Sequence, residues 1–93
     1  MVKFMSYVYI LESVTNGRYY IGSTDNLKLR LKHHAGGHTP STRRFGKINL
    51  VFSQEYTSLK EARIIERKLK KLKRRDYIER IVKDGFIKMK VEH

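Results

Sequence analysis

The sequence predicts a small α+β domain, a three-stranded, mainly antiparallel sheet flanked by helices in the order β-β-α-β-α-α. Three observations point to it. Two aromatic runs, Tyr7-Val8-Tyr9-Ile10-Leu11 and Tyr19-Tyr20-Ile21-Gly22, flank Thr15-Asn16-Gly17, and Asn-Gly between such runs signals a hairpin. A third run, residues 49 to 56, alternates Leu50, Phe52 and Tyr56 with Val51, Ser53 and Glu55, as a strand does. Two capping-box signatures, Ser58-Leu59-Lys60-Glu61 and Asp76-Tyr77-Ile78-Glu79, then open helices, because a short oxygen-bearing side chain and a glutamate three residues on satisfy free first-turn amides.

The chain has 93 residues, 40% of them apolar, which suffices for one domain (1–93) with one modest core and a small site. Its formal charge is +12, from 21 Lys and Arg against 9 Asp and Glu, with a sequence pI near 10.2. That balance favours a polyanionic partner held through salt-sensitive contacts. A merely solvated basic surface and an anionic membrane are the competing explanations. Nucleic acid is the favoured one. There is no cysteine, so disulfides and thiolate zinc sites are excluded and the cytoplasm is the expected compartment. Met1-Val2-Lys3-Phe4-Met5 lacks the apolar run of a signal peptide, and no segment approaches the ~20 apolar residues of a membrane span.

Along the first strand Tyr7, Tyr9 and Leu11 share a face, and along the second Tyr20 and Gly22 part company with Tyr19 and Ile21. Pairing the strands can bring Tyr9 and Tyr20 together beside a glycine that leaves room for a ligand. Thr24 or Asn26 caps a first helix that runs to about Ala35 and stops at Gly36-Gly37. Leu27 and Leu31 mark its buried stripe, with Arg30 and His34 within about 60° of it and Lys28 and Lys32 toward solvent. A polar, basic loop, residues 36 to 47, leads to the third strand, for which both antiparallel and parallel pairing are open. The longest helix, Leu59 to about Lys73, has an apolar stripe of Ala62, Ile65, Leu69 and Leu72 among many cations. Glu66 breaks the pattern. It projects on the apolar side, about 40° from Ala62, where a carboxylate is costly unless paired or bound to a cation. The final helix packs Tyr77, Ile78, Ile81 and Val82 and stops at Asp84-Gly85. The tail, residues 86 to 93, alternates so that it either adds an edge strand or frays.

Paired tyrosines, Arg30, His34 and an inward Glu66 suit phosphodiester hydrolysis. One carboxylate can hold a Mg²⁺ that keeps most of its waters, and an arginine can clamp non-bridging phosphate oxygens. Taken singly, each has a bland explanation: core aromatics for Tyr9 and Tyr20, a solvated helix charge for Arg30, a helix-end histidine for His34, and an i,i+4 pair with Lys70 for Glu66. His33, His34 and His38 look like a metal cluster, but Gly36-Gly37 separates the last from the helix and no carboxylate or Cys lies nearby. The run Arg67 to Arg75 reads as the solvent face of a helix that tracks a phosphate backbone.

The half-motifs Tyr7-Val8-Tyr9 and Tyr20-Ile21-Gly22, with Arg30, His34 and Glu66 in that order, resemble the GIY-YIG nuclease family over about residues 6 to 75. The chain is similar to its short stand-alone bacterial members, relatives of the nuclease domain of the excision-repair endonuclease, with residues 76–93 as a C-terminal helix and tail. The resemblance implies a metal-dependent endonuclease acting on DNA with low sequence specificity or structure-selective nicking, as a monomer or weak homodimer. Charge does not choose between DNA and RNA. The resemblance makes Tyr9 and Tyr20 the motif tyrosines, Arg30 the phosphate-binding arginine, His34 a group near the reacting atoms, and Glu66 the carboxylate ligand of Mg²⁺ or Mn²⁺. Either tyrosine can be the general base, and Tyr9 is favoured. A free tyrosine is roughly 0.1% ionised at pH 7, so the site must lower its pKa or move the proton concertedly. Gly22, Ser23, Lys32, Thr42, Arg43, Arg44, Arg63, Arg67 and Lys70 are the nucleic-acid-binding candidates. Ser23 stands where some members carry lysine after the second half-motif, and no asparagine follows Asn49. A non-catalytic nucleic-acid-binding module on the same fold is the alternative, and a basic scaffold protein of ribosomes or nucleoids a more distant one.

Overall fold

The computed structural model describes residues 5–35 and 46–88. In chain order these form β1 (Ser6–Ser13), β2 (Tyr19–Thr24), α1 (Leu27–Ala35), β3 (Ile48–Tyr56), α2 (Leu59–Leu72) and α3 (Arg75–Asp84). The three strands make one sheet in the order β2-β1-β3, and both pairings are antiparallel. The parallel option for β3 is therefore ruled out. Thr42, Arg43 and Arg44, the Gly36-Gly37 stop and the end of the tail lie outside the described residues.

The β1–β2 hairpin closes as its turn chemistry demands. Gly17 adopts φ 72°, its N–H donates to the Ser13 carbonyl at 2.9 Å, and the Asn16 side-chain oxygen accepts from the Arg18 amide at 2.9 Å. The β1–β3 pairing holds a surprise. A register shift between Ile10 and Leu11 sets Phe52 opposite Ile10 but Leu50 opposite Leu11. Opposed residues share a face, so the bulge parts Leu50 from Phe52. Phe52 is buried, while Leu50 is 42% exposed, which corrects the simple alternation read from the sequence.

One sheet face carries the core: Val8, Ile10 and Phe52 pack with Ala62, Ile65 and Leu69 of α2, with Ile78 and Ile81 of α3, and with Ile87 beyond it. Each large aliphatic side chain buried there contributes roughly 1.5–3 kcal/mol. Leu72 departs from the expected stripe and is exposed. At the head of α2 the Ser58 hydroxyl accepts from the Glu61 amide at 3.2 Å, and the Glu61 carboxylate accepts from the Thr57 hydroxyl at 3.0 Å. The second capping box is not used as such. Helix α3 begins earlier, at Arg75, with Arg74 at the N-cap and no side-chain cap bond, while Asp76 pairs with Arg74 and Glu79 with Arg75. Gly85 ends it at φ 82°, its amide donating to the Ile81 carbonyl. Past Gly85 the chain adds no strand among the described residues, but the Ile87 amide donates to the Gln54 side chain at 2.7 Å, fastening the tail to β3.

Candidate active site

Strand register decides where the motif side chains point. Tyr9 lies opposite Gly22 and Leu11 opposite Tyr20, so Tyr9, Tyr20 and Gly22 share the sheet face away from the α2 core. Helix α1 supplies the fourth member from that side. Asn26 caps it, its side-chain oxygen accepting from the Leu29 amide at 3.1 Å, and Thr24 braces the cap by accepting from the Asn26 amide at 3.0 Å. His34, one turn after Arg30 on the same flank of α1, is buried and places Nε2 2.9 Å from the Tyr9 hydroxyl. The Tyr20 and His34 rings meet edge to face at 5.1 Å between centroids, and Tyr9 and Tyr20 are 6.4 Å apart.

The glycine makes that wall possible. A Cβ at Gly22 would stand 2.5 Å from Tyr9 Cζ, so the space beside this glycine is filled by the Tyr9 phenol itself. Gly22 thus serves first to admit Tyr9, which is 1% exposed.

The electrostatics of the wall are set by burial. Desolvation pushes the Tyr9 phenol well above its ordinary range; the neighbouring Tyr20 and the Glu66 charge add to the shift, and Arg30 opposes it. Desolvation lowers His34 below the usual imidazole value of 6.5, and the charges of Arg30 and His33 lower it further. At neutral pH Tyr9 is therefore protonated and His34 neutral. In the Nδ1–H tautomer, Nε2 then accepts the phenolic proton's hydrogen bond. This environment does not lower the Tyr9 pKa, and it sets an imidazole nitrogen in contact with the phenol.

Glu66 sits on the other face. Ser23 lies opposite Val8, so its side chain projects toward α2, and its hydroxyl donates to Glu66 Oε1. Lys70 Nζ holds Oε2 at 2.6 Å. The inward carboxylate is thus paired, as its position on the helix required. The two faces meet around the edge of β2, an outer strand of the sheet, where the Lys70 ammonium also lies 5.7 Å from the centre of the Tyr20 ring. Tyr9, Tyr20, His34 and Arg30 form one half of the site. Ser23, Glu66 and Lys70 form the other.

Lys32, Arg63 and Arg67 are exposed; the two arginines ride on α2 with Lys70 at helical spacings of three and four. No group of three or more His, Cys, Asp or Glu side chains able to hold a metal exists among the described residues. The oxygen donors Glu66 and Ser23 fit a hard divalent ion that keeps several waters and shares them with a phosphate, and do not fit a zinc site. Sequence reasoning did not find the Ser23–Glu66 contact or the position of Lys70 beside Tyr20. The only available signal was that the edge strand alternates Tyr20, Gly22 and Tyr19, Ile21, Ser23 between opposite faces.

The fold is of the nuclease type: the family model of the GIY-YIG catalytic domain matches residues 5–79, and the chain belongs to that family. Among particular proteins, it is 37% identical over 70 residues to a UPF0213 protein of Streptococcus pneumoniae serotype 4 strain TIGR4, covering 74% of this chain and 70% of that one. A UPF0213 protein of S. pneumoniae strain R6 is 36% identical over the same shares. The solution NMR structure of a UPF0213 protein from Bacillus halodurans is similar with a TM-score of 0.54 and 35% identity, across 87% of this chain and 86% of that one. No helix among the described residues is long and apolar enough to cross a membrane.

Proposed function

We propose that the protein is a metal-dependent endonuclease that hydrolyses DNA phosphodiester bonds, nicking one strand at a time with little sequence preference. The observation that carries this reading is the buried hydrogen bond between the Tyr9 hydroxyl and His34 Nε2, with the Arg30 charge close enough to bear on both groups. As water attacks phosphorus, its proton passes to the Tyr9 oxygen while the Tyr9 proton passes to His34. The P–O bond to the leaving oxygen breaks with its electron pair, and that oxygen takes a proton from solvent. No free phenolate forms, so the elevated pKa of Tyr9 is no obstacle. Tyr20 orients the water or the phosphate, and Arg30 balances the charge growing on the non-bridging oxygens. Mg²⁺ or Mn²⁺ held at Glu66 would supply Lewis-acid polarisation of the phosphate.

The test is incubation of supercoiled plasmid, branched DNA, single strands and RNA with Mg²⁺ or Mn²⁺, comparing wild type with Glu66→Ala and Tyr9→Phe. Nicking by wild type and a loss of about 10²-fold or more in each variant is the expected outcome. Wild type that nicks none of them, or variants that nick as well as it does, sinks the proposal. One observation favours a second reading, a non-catalytic nucleic-acid-binding module: both Glu66 oxygens already have protein partners. Under that reading Glu66→Ala binds nucleic acid as wild type does, and no divalent ion elicits cleavage.

A further inference from the structure

At the junction of α2 and α3, on the core side of the β2 edge, lies an open groove of about 390 Å³ whose lining includes Arg18, Tyr19, Lys70, Lys73, Arg74 and Arg75, and no carboxylate. These five cations make the concavity a basic surface suited to a polyanion, although Lys70, Arg74 and Arg75 each have a carboxylate partner in Glu66, Asp76 and Glu79. Arg74 and Arg75 are paired with Asp76 and Glu79 at 2.7 and 2.9 Å, but these side chains are more than half exposed, so the pairs are weak and an incoming anion can replace them. Arg75 is also stacked on the Tyr19 ring at 4.8 Å, which holds its guanidinium fork ready.

Lys73 adds an independent sign. It closes α2 at φ 50°, and it is the residue other than glycine at positive φ among those described. Glycine adopts that conformation without steric cost, whereas lysine does not. Lysine is less favoured than glycine in that conformation, and here it contributes to the lining of the groove.

We infer that this groove binds the phosphodiester backbone of the nucleic-acid strand where it runs on past the cleavage position. Lys70 belongs to both places, its ammonium lying on Glu66 and beside Tyr20 while its side chain lines the groove, so a strand leaving the site along β2 enters the groove directly. The inference rests on the nuclease reading for the direction of the strand, but its contacts are binding contacts and need no cleavage.

The experiment measures binding of a fluorescein-labelled DNA duplex in EDTA by anisotropy at several salt concentrations, together with urea unfolding of each variant. Lys73→Gly is expected to be as stable as wild type or more so, yet to bind several-fold more weakly, with the slope of log affinity against log salt reduced by about one. Arg75→Gln should weaken binding likewise, and Lys83→Gln, exposed at the far end of α3, should leave it unchanged. If Lys73→Gly and Arg75→Gln bind with wild-type affinity and salt slope, or Lys83→Gln weakens binding equally, the groove is not a subsite. Plasmid nicking by wild type is scored separately. Absent nicking with a sensitive Lys73 removes the nuclease reading and keeps the groove, whereas nicking with an insensitive Lys73 does the reverse.

Discussion

Replacing Gly22 with alanine is the sharpest perturbation of the tyrosine wall. The backbone tolerates it, since Gly22 is not among the glycines at positive φ. The added methyl would lie 2.5 Å from Tyr9 Cζ and 3.0 Å from Cε1, and closer still to the hydroxyl. Tyr9 cannot swing into solvent, being 1% exposed, and any retreat breaks its bond to His34. Overpacking of this kind costs about 1–3 kcal/mol. Losing the buried hydrogen bond adds about 1 kcal/mol, and the stiffer unfolded chain returns about 0.4–1 kcal/mol. The net is a destabilisation of about 1–3.5 kcal/mol. For a domain of this size that lowers Tm by roughly 5–25 °C. Because moving a reacting group by about 1 Å costs about 10²-fold, nicking should fall by at least that much. Calorimetry and urea unfolding measure the first quantity and plasmid nicking the second. Removing the closest atom with Tyr9→Phe in the Gly22→Ala background should recover part of the lost stability and none of the activity. A Gly22→Ala protein that melts with wild type would refute the account of why this glycine is present.

Four further outcomes follow from the same geometry. In a phenolate absorbance titration Tyr9, assigned by comparison with Tyr9→Phe, should stay protonated beyond pH 10, the ordinary tyrosine value, because burial raises it; a Tyr9 that titrates with the exposed phenols contradicts this. The folded-state pKa of His34 is depressed, so its contribution to stability is complete above about pH 6.5 and is lost as the pH falls toward the folded value. Tm measured between about pH 7.5 and 5.5 should show this loss in wild type and lack it in His34→Gln. Lys70→Met removes the cation on Glu66 Oε2 and should tighten Mn²⁺ binding seen by electron paramagnetic resonance while costing about 0.5 kcal/mol or less, since the lysine is half exposed; unchanged binding means that Lys70 does not compete for the carboxylate. Tyr9→Phe and Glu66→Gln should be strongly non-additive in nicking rate if both halves act in one transition state, and additive effects in log rate would separate them.

How far the sequence could be read depends on the range of the interactions involved. The hairpin was legible because Asn16 and Gly17 fix their turn locally, and the caps at Asn26 and Ser58 likewise act within one helical turn. The core face of α2 was legible from periodicity, and Glu66 stood out because it breaks that periodicity. The pairing of Leu50 with Leu11 was not, since a bulge between Ile10 and Leu11 is a property of two strands at once. Nor was the start of α3. The helix starts at Arg75 with Asp76 and Glu79 paired to Arg74 and Arg75, partners that a motif scan does not register. At the site, order and spacing singled out Tyr9, Tyr20, Arg30, His34 and Glu66 without revealing that Tyr9 and Glu66 belong to opposite faces of the sheet.

That division constrains the chemistry. The face bearing Tyr9 and His34 has a proton acceptor and the Arg30 charge; the face bearing Ser23 and Glu66 has the carboxylate. A phosphate served by both must lie at the outer edge of β2 beside Gly22 and Ser23, where one residue points to each face. A β-strand performs this partition automatically, since neighbouring side chains alternate, and an edge strand leaves one flank open to a polymer. On the nuclease reading proposed above, the small domain would need no enclosed cavity to bring base and carboxylate together, because a nucleic-acid backbone crossing the strand would complete the site. Lys70 spans the same edge in the protein alone, held to Glu66 and lying beside Tyr20. A cation bound at Glu66 would have to displace that ammonium, so on the proposed reading metal binding reorganises one flexible side chain.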